Sequence, residues 1–149
     1  MPITLRESVC DSQRTLLTDG WLLRRIRYLD RSDRDLLRAV IINNQSIKLV
    51  ARLLHSNYHF TWRRVLTLIR RINSHAFTRT IRALPFLEPD DARLARLFYC
   101  HCLPMQELAD AMSVSKYVLR RRLDNLEARI RVIDRIKPAA LPVENRGEV

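Results

Sequence analysis

The sequence predicts an all-α protein in which two tandem units of three or four helices follow N-terminal helices. Glycine occurs only at positions 20 and 147, and β-branched residues show no long alternation with polar ones, so strands are not expected. Apolar residues instead recur at intervals of three and four, the period of a helix with one buried face. A shift of 58 residues also aligns similar residues in the two halves of the chain.

This internal repeat needs no gap, and it predicts two copies of one helical unit. The aligned residues include apolar, acidic and basic types, so the match is not a matter of hydrophobicity alone. The pairs are Leu29 with Leu87, Asp33 with Asp91, Leu36 with Leu94, Arg38 with Arg96, Ala51 with Ala109, Arg63-Arg64 with Arg121-Arg122, Leu68 with Leu126 and Arg71-Ile72 with Arg129-Ile130.

Composition indicates a basic globular protein with a polyanionic partner. The 149 residues suffice for one ordinary domain or two small ones, and the 47% hydrophobic content supplies a core. The formal net charge of +11 comes almost entirely from arginine, which favours bidentate contacts with phosphate or guanine. Acidic lipid is the competing partner, but no basic amphipathic segment stands apart from the globular pattern. Nucleic acid is therefore favoured, and no membrane partner is expected.

The N-terminus and the cysteines point to an intracellular protein without a metal site. Residues 1–7 lack the apolar core of a signal peptide, and no stretch reaches the length of a spanning helix, so we expect a cytoplasmic location. Cys100 and Cys102 are two residues apart in a predicted helix and would face different sides, which disfavours a shared tetrahedral metal. We expect buried thiols instead, and no metal and no cofactor.

No arrangement of residues predicts catalysis. Serine is not found in a nucleophile elbow, no glycine-rich loop is present to hold phosphate, and the acidic residues are scattered over helix starts. We therefore expect a protein that is not an enzyme.

The N-terminal helices are expected in residues 1–27. One helix is predicted from Leu5 to Leu17, a break at Thr18-Asp19-Gly20, and a second helix from Trp21 to Leu29. The apolar residues of this second helix would pack on the first unit or form a dimer seam. They are Trp21, Leu22, Leu23, Ile26 and Leu29.

The first unit is expected in residues 28–84. Ser32 is predicted to cap its first helix, and Asn43-Asn44-Gln45-Ser46 to end it. A short helix over 47–54, a turn over 55–57 and a long basic helix over 58–72 follow. A connector with a short helix over 76–83 then leads to Pro85 and Pro89, which we take as the boundary between the units.

The buried face of the long helix in the first unit is ambiguous. One candidate stripe is Tyr58, Trp62, Val65, Ile69 and Ile72; the other is Thr61, Val65, Leu68 and Ile72. Because tryptophan is more often buried than exposed, we favour a core position for Trp62. The unit would then pack on a partner or on its twin, with Arg63, Arg64, Arg70 and Arg71 contacting phosphates.

The second unit, expected in residues 85–137, has the order of a helix-turn-helix. A packing helix beginning at Asp91 is followed by a short positioning helix over 105–112, a turn over 113–115 and a basic helix capped by Ser115. Ala109 is small enough to let the two helices of the motif approach closely where they cross, and Val114 fills the turn.

The basic helix of the second unit separates an apolar stripe from a cationic face. The stripe consists of Leu119, Leu123, Leu126 and Ile130, at intervals of three and four. The residues that then face away suit the major groove of DNA, where arginine can contact both acceptors of guanine. The alternative is an ordinary solvated charged face. The predicted DNA-contacting residues are Ser115, Lys116, Tyr117, Arg120 and Arg121, with Arg63 and Arg64 from the first unit.

Residues 87–130 resemble the helix-turn-helix of the LuxR/NarL-type bacterial regulators. They resemble nearly as closely the fourth conserved region of bacterial sigma factors. The similarity lies in the segments 87–94, 105–115, 118–119 and 123–130. It implies binding of promoter DNA through the helix that begins at Ser115, in a bacterial or phage setting.

The leading hypothesis is a cytoplasmic transcription regulator whose partner is double-stranded DNA. One alternative is a protein-interaction module in which degenerate helix-turn-helix units bind RNA polymerase or another regulator; the other is a nonspecific nucleic-acid-binding protein. A homodimer is compatible with each. Residues 138–149 contain two prolines and little to bury, so we expect a disordered tail.

Overall fold

The computed structural model describes residues 20–136, apart from the side chain of Trp21, and this part of the chain is helical without strands. The predicted helix over 5–17 and the tail over 138–149 lie outside the described residues. Eight α-helices follow one another: α1 (Trp21–Ile26), α2 (Arg31–Leu37), α3 (Ile47–Leu53), α4 (Tyr58–Asn73), α5 (His75–Ala83), α6 (Pro89–Ala95), α7 (Met105–Met112) and α8 (Lys116–Ile136). The all-α prediction is confirmed.

The chain divides into two compact units after Ile72, here called unit 1 and unit 2. The sequence placed this boundary at Pro85 instead, and so assigned α5 to the first unit. Helix α5 packs on α8 within unit 2, and its last residue, Ala83, belongs to the apolar core of that unit. Pro85 and Pro89 marked short breaks inside unit 2, because proline suits the first turn of a helix as well as a linker.

The helices recur in the two units with the offset of 58 residues found in the sequence. Helices α2 and α6 begin at Arg31 and Pro89, and each continues into a π-helical turn, over Arg38–Ile42 and Arg96–Cys100. Helices α3 and α7 begin at Ile47 and Met105, and α4 and α8 at Tyr58 and Lys116. The internal repeat is therefore a repeat of secondary structure, including its π-helical turns.

The backbone between the helices follows the same repeat. Left-handed conformations occur at His55 and Ser113, and at Asn44 and Cys102, which are again 58 residues apart. The amide after His55 and the amide after Ser113 each donate to the carbonyl five residues earlier. Ser56 N donates to Ala51 O at 2.9 Å, and Val114 N donates to Ala109 O at 3.1 Å. A left-handed residue after a helix is a common helix ending, so both units use the same turn into their long helix.

The cores occupy equivalent positions in the two units. Leu36 and Leu94, Ala51 and Ala109, Leu68 and Leu126, and Ile72 and Ile130 are all buried. In unit 1 the predicted packing of the second N-terminal helix is found for Leu22, Ile26 and Leu29, which are buried. Leu23 is exposed, and the side chain of Trp21 lies outside the described residues. The remaining core of unit 2 includes Leu108, Leu119 and Leu123.

The long helix of unit 1 buries the stripe that contains Thr61, so the favoured core position of Trp62 is wrong. Thr61, Val65, Leu68 and Ile72 are buried, whereas Trp62 is only half-buried. Thr61 aligns with Leu119 of unit 2, and the phase follows the repeat. The stripe with Trp62 was favoured because tryptophan is, as a single residue, more often buried than threonine.

Two local predictions also need correction. The N-cap of α2 is Asp30 instead of Ser32, because the Asp30 carboxylate accepts a hydrogen bond from the Asp33 amide at 2.8 Å. Of the two cysteines predicted to be buried, Cys100 is buried and Cys102 is exposed. Cys102 lies after the π-helical turn in a left-handed conformation, beyond the packed face of the helix.

Candidate nucleic-acid interface

The candidate interface lies on the first turns of α8, which rest on a buried platform. Leu108 and Ala109 of α7 are buried, as is Leu119 of α8, and Val114 of the turn packs against the same core. The Ser115 hydroxyl accepts a hydrogen bond from the Val118 amide at 3.3 Å, which confirms Ser115 as the helix cap. The backbone that carries the exposed residues is thus held from below and capped at its start.

Helix α8 presents the two faces that the sequence predicted. Leu119, Leu123, Leu126 and Ile130 form the buried stripe. On the opposite side, Tyr117 and Arg121 lie one helical turn apart, and 70% of the Tyr117 surface is open to solvent. The predicted contact residues Ser115, Lys116 and Arg120 are exposed as well. All five predicted contact residues of this unit are thus accessible around one end of one helix.

The positive charge at the start of α8 has no counter-ion among the residues that the structure describes. Within residues 20–136, no carboxylate forms an ion pair with Lys116, Arg120, Arg121 or Arg122. Farther along the helix, Arg129 pairs with Asp91 and Arg131 pairs with Glu127 at 2.8 Å, whereas Arg135 forms no ion pair within residues 20–136. Free positive charge is therefore concentrated in the first two turns.

The charge of the first turn of α8 opposes the helix dipole. This turn contains Lys116 and no acidic residue, although carboxylates are favoured there and a cation is disfavoured by about 0.3–1 kcal/mol. A bound anion would reverse this unfavourable term, since the same helix end attracts negative charge. The distribution of charge thus favours an anionic ligand at the start of α8.

In unit 1, fewer of the arginines predicted to contact phosphate are exposed to solvent and unpaired with a carboxylate than at the start of α8. Arg63 is exposed, as is Arg70. Arg64 instead donates to the Asp33 carboxylate through Nη2 at 2.6 Å and Nε at 3.0 Å, and to the Ser32 hydroxyl at 2.8 Å. Arg71 also pairs with Asp33, at 3.3 Å. Both side chains thus tie α4 to α2, and their contact with phosphates stays a prediction.

This ion-pair arrangement is partly repeated in unit 2, where Asp91 pairs with Arg129. Asp33 and Arg71 align with Asp91 and Arg129 under the offset of 58, so two residues of opposite charge were retained together. That joint retention is a signal for a contact. From the sequence, we interpreted the two aspartates only as helix-start residues and did not predict their contacts with arginine.

The core below the interface contains one perturbed group, Tyr99. Its ring stacks edge to face on Phe98, with 4.8 Å between the ring centroids. Burial raises the pKa of the Tyr99 hydroxyl, and the negative charge of Glu127 raises it further. Tyr99 is partly buried against the core of unit 2, where it acts as a packing residue.

Two other kinds of site, a membrane-spanning helix and a metal site, are absent from residues 20–136. No helix in residues 20–136 combines the length and the apolar surface needed to cross a membrane. Across the same residues, histidine, cysteine and acidic side chains do not gather in threes around a possible metal position. Comparison with protein-family models, with curated proteins and with solved structures gives no match.

Proposed function

We propose that the chain is a DNA-binding transcription regulator that recognises promoter DNA through the first two turns of α8. The observation that carries the proposal is the group of exposed cations at the start of this helix, which have no ion-pair partner within the described range 20–136. They stand on a capped helix that follows a short helix and a tight turn, which is the order of a helix-turn-helix.

The exposed residues divide into two roles. Arg120 and Arg121 are long enough to contact base edges in the major groove, where each guanine offers two acceptors to one guanidinium. Tyr117 lies beside Arg121 and supplies a flat apolar surface with a hydroxyl at its end. Ser115 and Lys116, at the start of the helix, are placed to contact the phosphate backbone and fix the helix in the groove.

The rest of the molecule supports a polyanionic ligand. The net charge of +11 attracts duplex DNA regardless of its sequence, and Arg63 of unit 1 adds an exposed cation. The resemblance of residues 87–130 to LuxR/NarL-type regulators and sigma factors supports promoter DNA as the ligand, in the cytoplasm of a bacterium or in a phage-infected cell.

Selection of bound fragments from a pool of random duplex DNA tests this proposal. We expect the full chain to enrich one short sequence, because base contacts by arginine discriminate by about 1–3 kcal/mol for each pair. Binding without enrichment would instead support a nonspecific nucleic-acid-binding protein. Absence of duplex binding at low salt would support the alternative in which the units bind RNA polymerase or another regulator.

A further inference from the structure

The short helices α3 and α7 have equivalent positions in the repeat but different surfaces. Helix α3 exposes two leucines one turn apart, Leu49 at 41% and Leu53 at 64% of their surface. The equivalent positions in α7 hold Glu107 and Ala111. The backbone is thus retained, whereas the outer face of α3 is apolar.

Two more exposed apolar side chains follow in the sequence, Leu54 at the end of α3 and Phe60 in the first turn of α4. Leu54 is 50% exposed and Phe60 is 63% exposed. The residue equivalent to Leu54 is Met112, which packs against the core of unit 2. Burial of apolar surface is favourable, so these exposed side chains are available for contact with a partner. We call Leu49, Leu53, Leu54 and Phe60 the α3 patch.

The charged side chains on α3 itself are both positive. Lys48 and Arg52 are exposed on α3 beside the leucines. No aspartate or glutamate occurs between Asp35 and Glu88 in the sequence. At the positions of Lys48 and Arg52, helix α7 has Gln106 and Asp110, so the two short helices differ in the sign of their charge.

We propose that the α3 patch is a docking site for an acidic amphipathic helix of another protein. Two leucines one turn apart match the spacing by which an amphipathic helix places its own apolar residues in a groove. Lys48 and Arg52 would pair with carboxylates at the rim of such a helix and set its orientation. This docking site is independent of the DNA contacts proposed for α8.

Two other occupants fit the patch less well. A second copy that presented the same patch would bring Lys48 and Arg52 close to their own copies, which is a like-charge arrangement. A second copy that presented α7 would offer the acidic Glu107 and Asp110, but the large exposed apolar residues of unit 2 are not on α7. Nucleic acid could stack a base on Phe60, but it would leave the three leucines against phosphates, since leucine has no aromatic face.

A binding titration with a designed peptide tests the docking site. The probe is a fluorescent helix of about 20 residues with leucines along one face and glutamates elsewhere. A peptide of the same composition in scrambled order is the control for charge alone. The full chain is compared with the variants Leu49→Ser/Leu53→Ser and Lys48→Gln/Arg52→Gln. The variant Val132→Ser/Ile136→Ser removes two equally exposed apolar residues of unit 2 and is the matched control.

We expect the parent to bind the amphipathic peptide at least about tenfold more tightly than the scrambled one. Each α3 variant should lose at least about tenfold in affinity, and the control variant should bind as the parent does. All substituted side chains are exposed, so circular dichroism and melting should stay unchanged. A further pair, Leu53→Ser alone and Leu53→Met, shows whether apolar contact restores the affinity.

Three outcomes would overturn the docking site. One is equal peptide affinity for the parent and the α3 variants. Another is a loss of duplex or single-stranded nucleic-acid affinity in Leu49→Ser/Leu53→Ser, which would make the patch a nucleic-acid surface. The third is a parent that sediments as a dimer while this variant sediments as a monomer, which would assign the patch to a second copy.

Discussion

Equivalent aspartates in the two units have different surroundings. The Asp33 side chain is 11% exposed and accepts from both Arg64 and Arg71. Asp91, in the same position of unit 2, pairs with Arg129, whose side chain is 59% exposed. The Asp91 side chain itself is 22% exposed. Removing a partly buried carboxylate that has two guanidinium partners costs more than removing the carboxylate of a single pair open to water.

The substitution Asp33→Asn is therefore expected to lower the free energy of unfolding by about 1–3 kcal/mol, because two partly buried guanidinium groups lose their counter-ion. Asp91→Asn is the matched control and should cost less than about 1 kcal/mol. Chemical denaturation of both variants measures the difference. Equal losses would show that the second arginine and the deeper burial of Asp33 contribute nothing.

Thr61 is a polar residue in an apolar position. Its side chain is buried among the core of unit 1, and its hydroxyl has no hydrogen-bond partner in the described part of the protein. Unit 2 has Leu119 at the equivalent position, so the repeat itself indicates that an apolar residue fits there.

We expect Thr61→Val to raise the free energy of unfolding by about 1 kcal/mol, since it removes an unpaired buried hydroxyl at nearly constant volume. Thr80 is the comparison, because it is equally buried but donates to the Ala76 carbonyl at 2.8 Å. Thr80→Val should be neutral or destabilising by about 1 kcal/mol. Stabilisation of both variants to the same extent would contradict the assigned difference between the two hydroxyls.

At the scale of single elements, α5 is the helix whose role the sequence did not predict. It packs on α8 and on the π-helical turn of unit 2, and Arg79 of α5 approaches Glu127 of α8 at 3.8 Å. A fragment that begins at Pro85 lacks this helix. The part of the unit 2 core that Ala83 covers in the full chain would then be open to water.

We therefore expect a fragment of residues 73–137 to melt cooperatively, and a fragment of residues 85–137 to lose most of its cooperative transition. A loss of a few kcal/mol is a large share of the roughly 5–15 kcal/mol that stabilise a domain. Circular dichroism during heating measures both fragments. A sharp melt of the shorter fragment would show that α5 is a linker after all.

The elements that the sequence predicted well are those with a clear helical period and an evident cap. The stripe from Leu119 to Ile130, the turn at 113–115 and the cap Ser115 are all found. The four residues predicted at the start of α8, Lys116, Tyr117, Arg120 and Arg121, are exposed, so accessibility at this site was also predictable. Their contact with DNA remains a prediction.

The elements that the sequence did not predict depend on tertiary contacts. Trp62 and Thr61 compete for the core, and only packing in three dimensions selects Thr61. Arg64 has the same sequence signal as Arg63, yet one pairs with Asp33 across 31 residues and the other faces solvent. Prolines at 85 and 89 were ambiguous because the same residue type ends a domain and starts a helix.

At the scale of the whole molecule, the repeat allows one unit to be the control for the other. Both units retain the helix order, the π-helical turns and the left-handed turn residues. Their outer surfaces differ: unit 2 has uncompensated cations at the start of α8, and unit 1 has the apolar α3 patch flanked by cations. We propose that these differences reflect two binding roles, DNA binding by unit 2 and docking of a partner helix on unit 1.

Arg120 and Arg121 are proposed to contact bases. Parallel selections from random duplex DNA test this contact. The parent, the double variant Arg120→Ala/Arg121→Ala and the control Arg135→Ala on the exposed end of the same helix are compared at one salt concentration. We predict one enriched sequence for the parent and the same sequence for Arg135→Ala. The double variant should keep its fold and lose the preference at the contacted base pairs. The same enriched sequence from all three proteins, or no enrichment from the parent, would contradict the account.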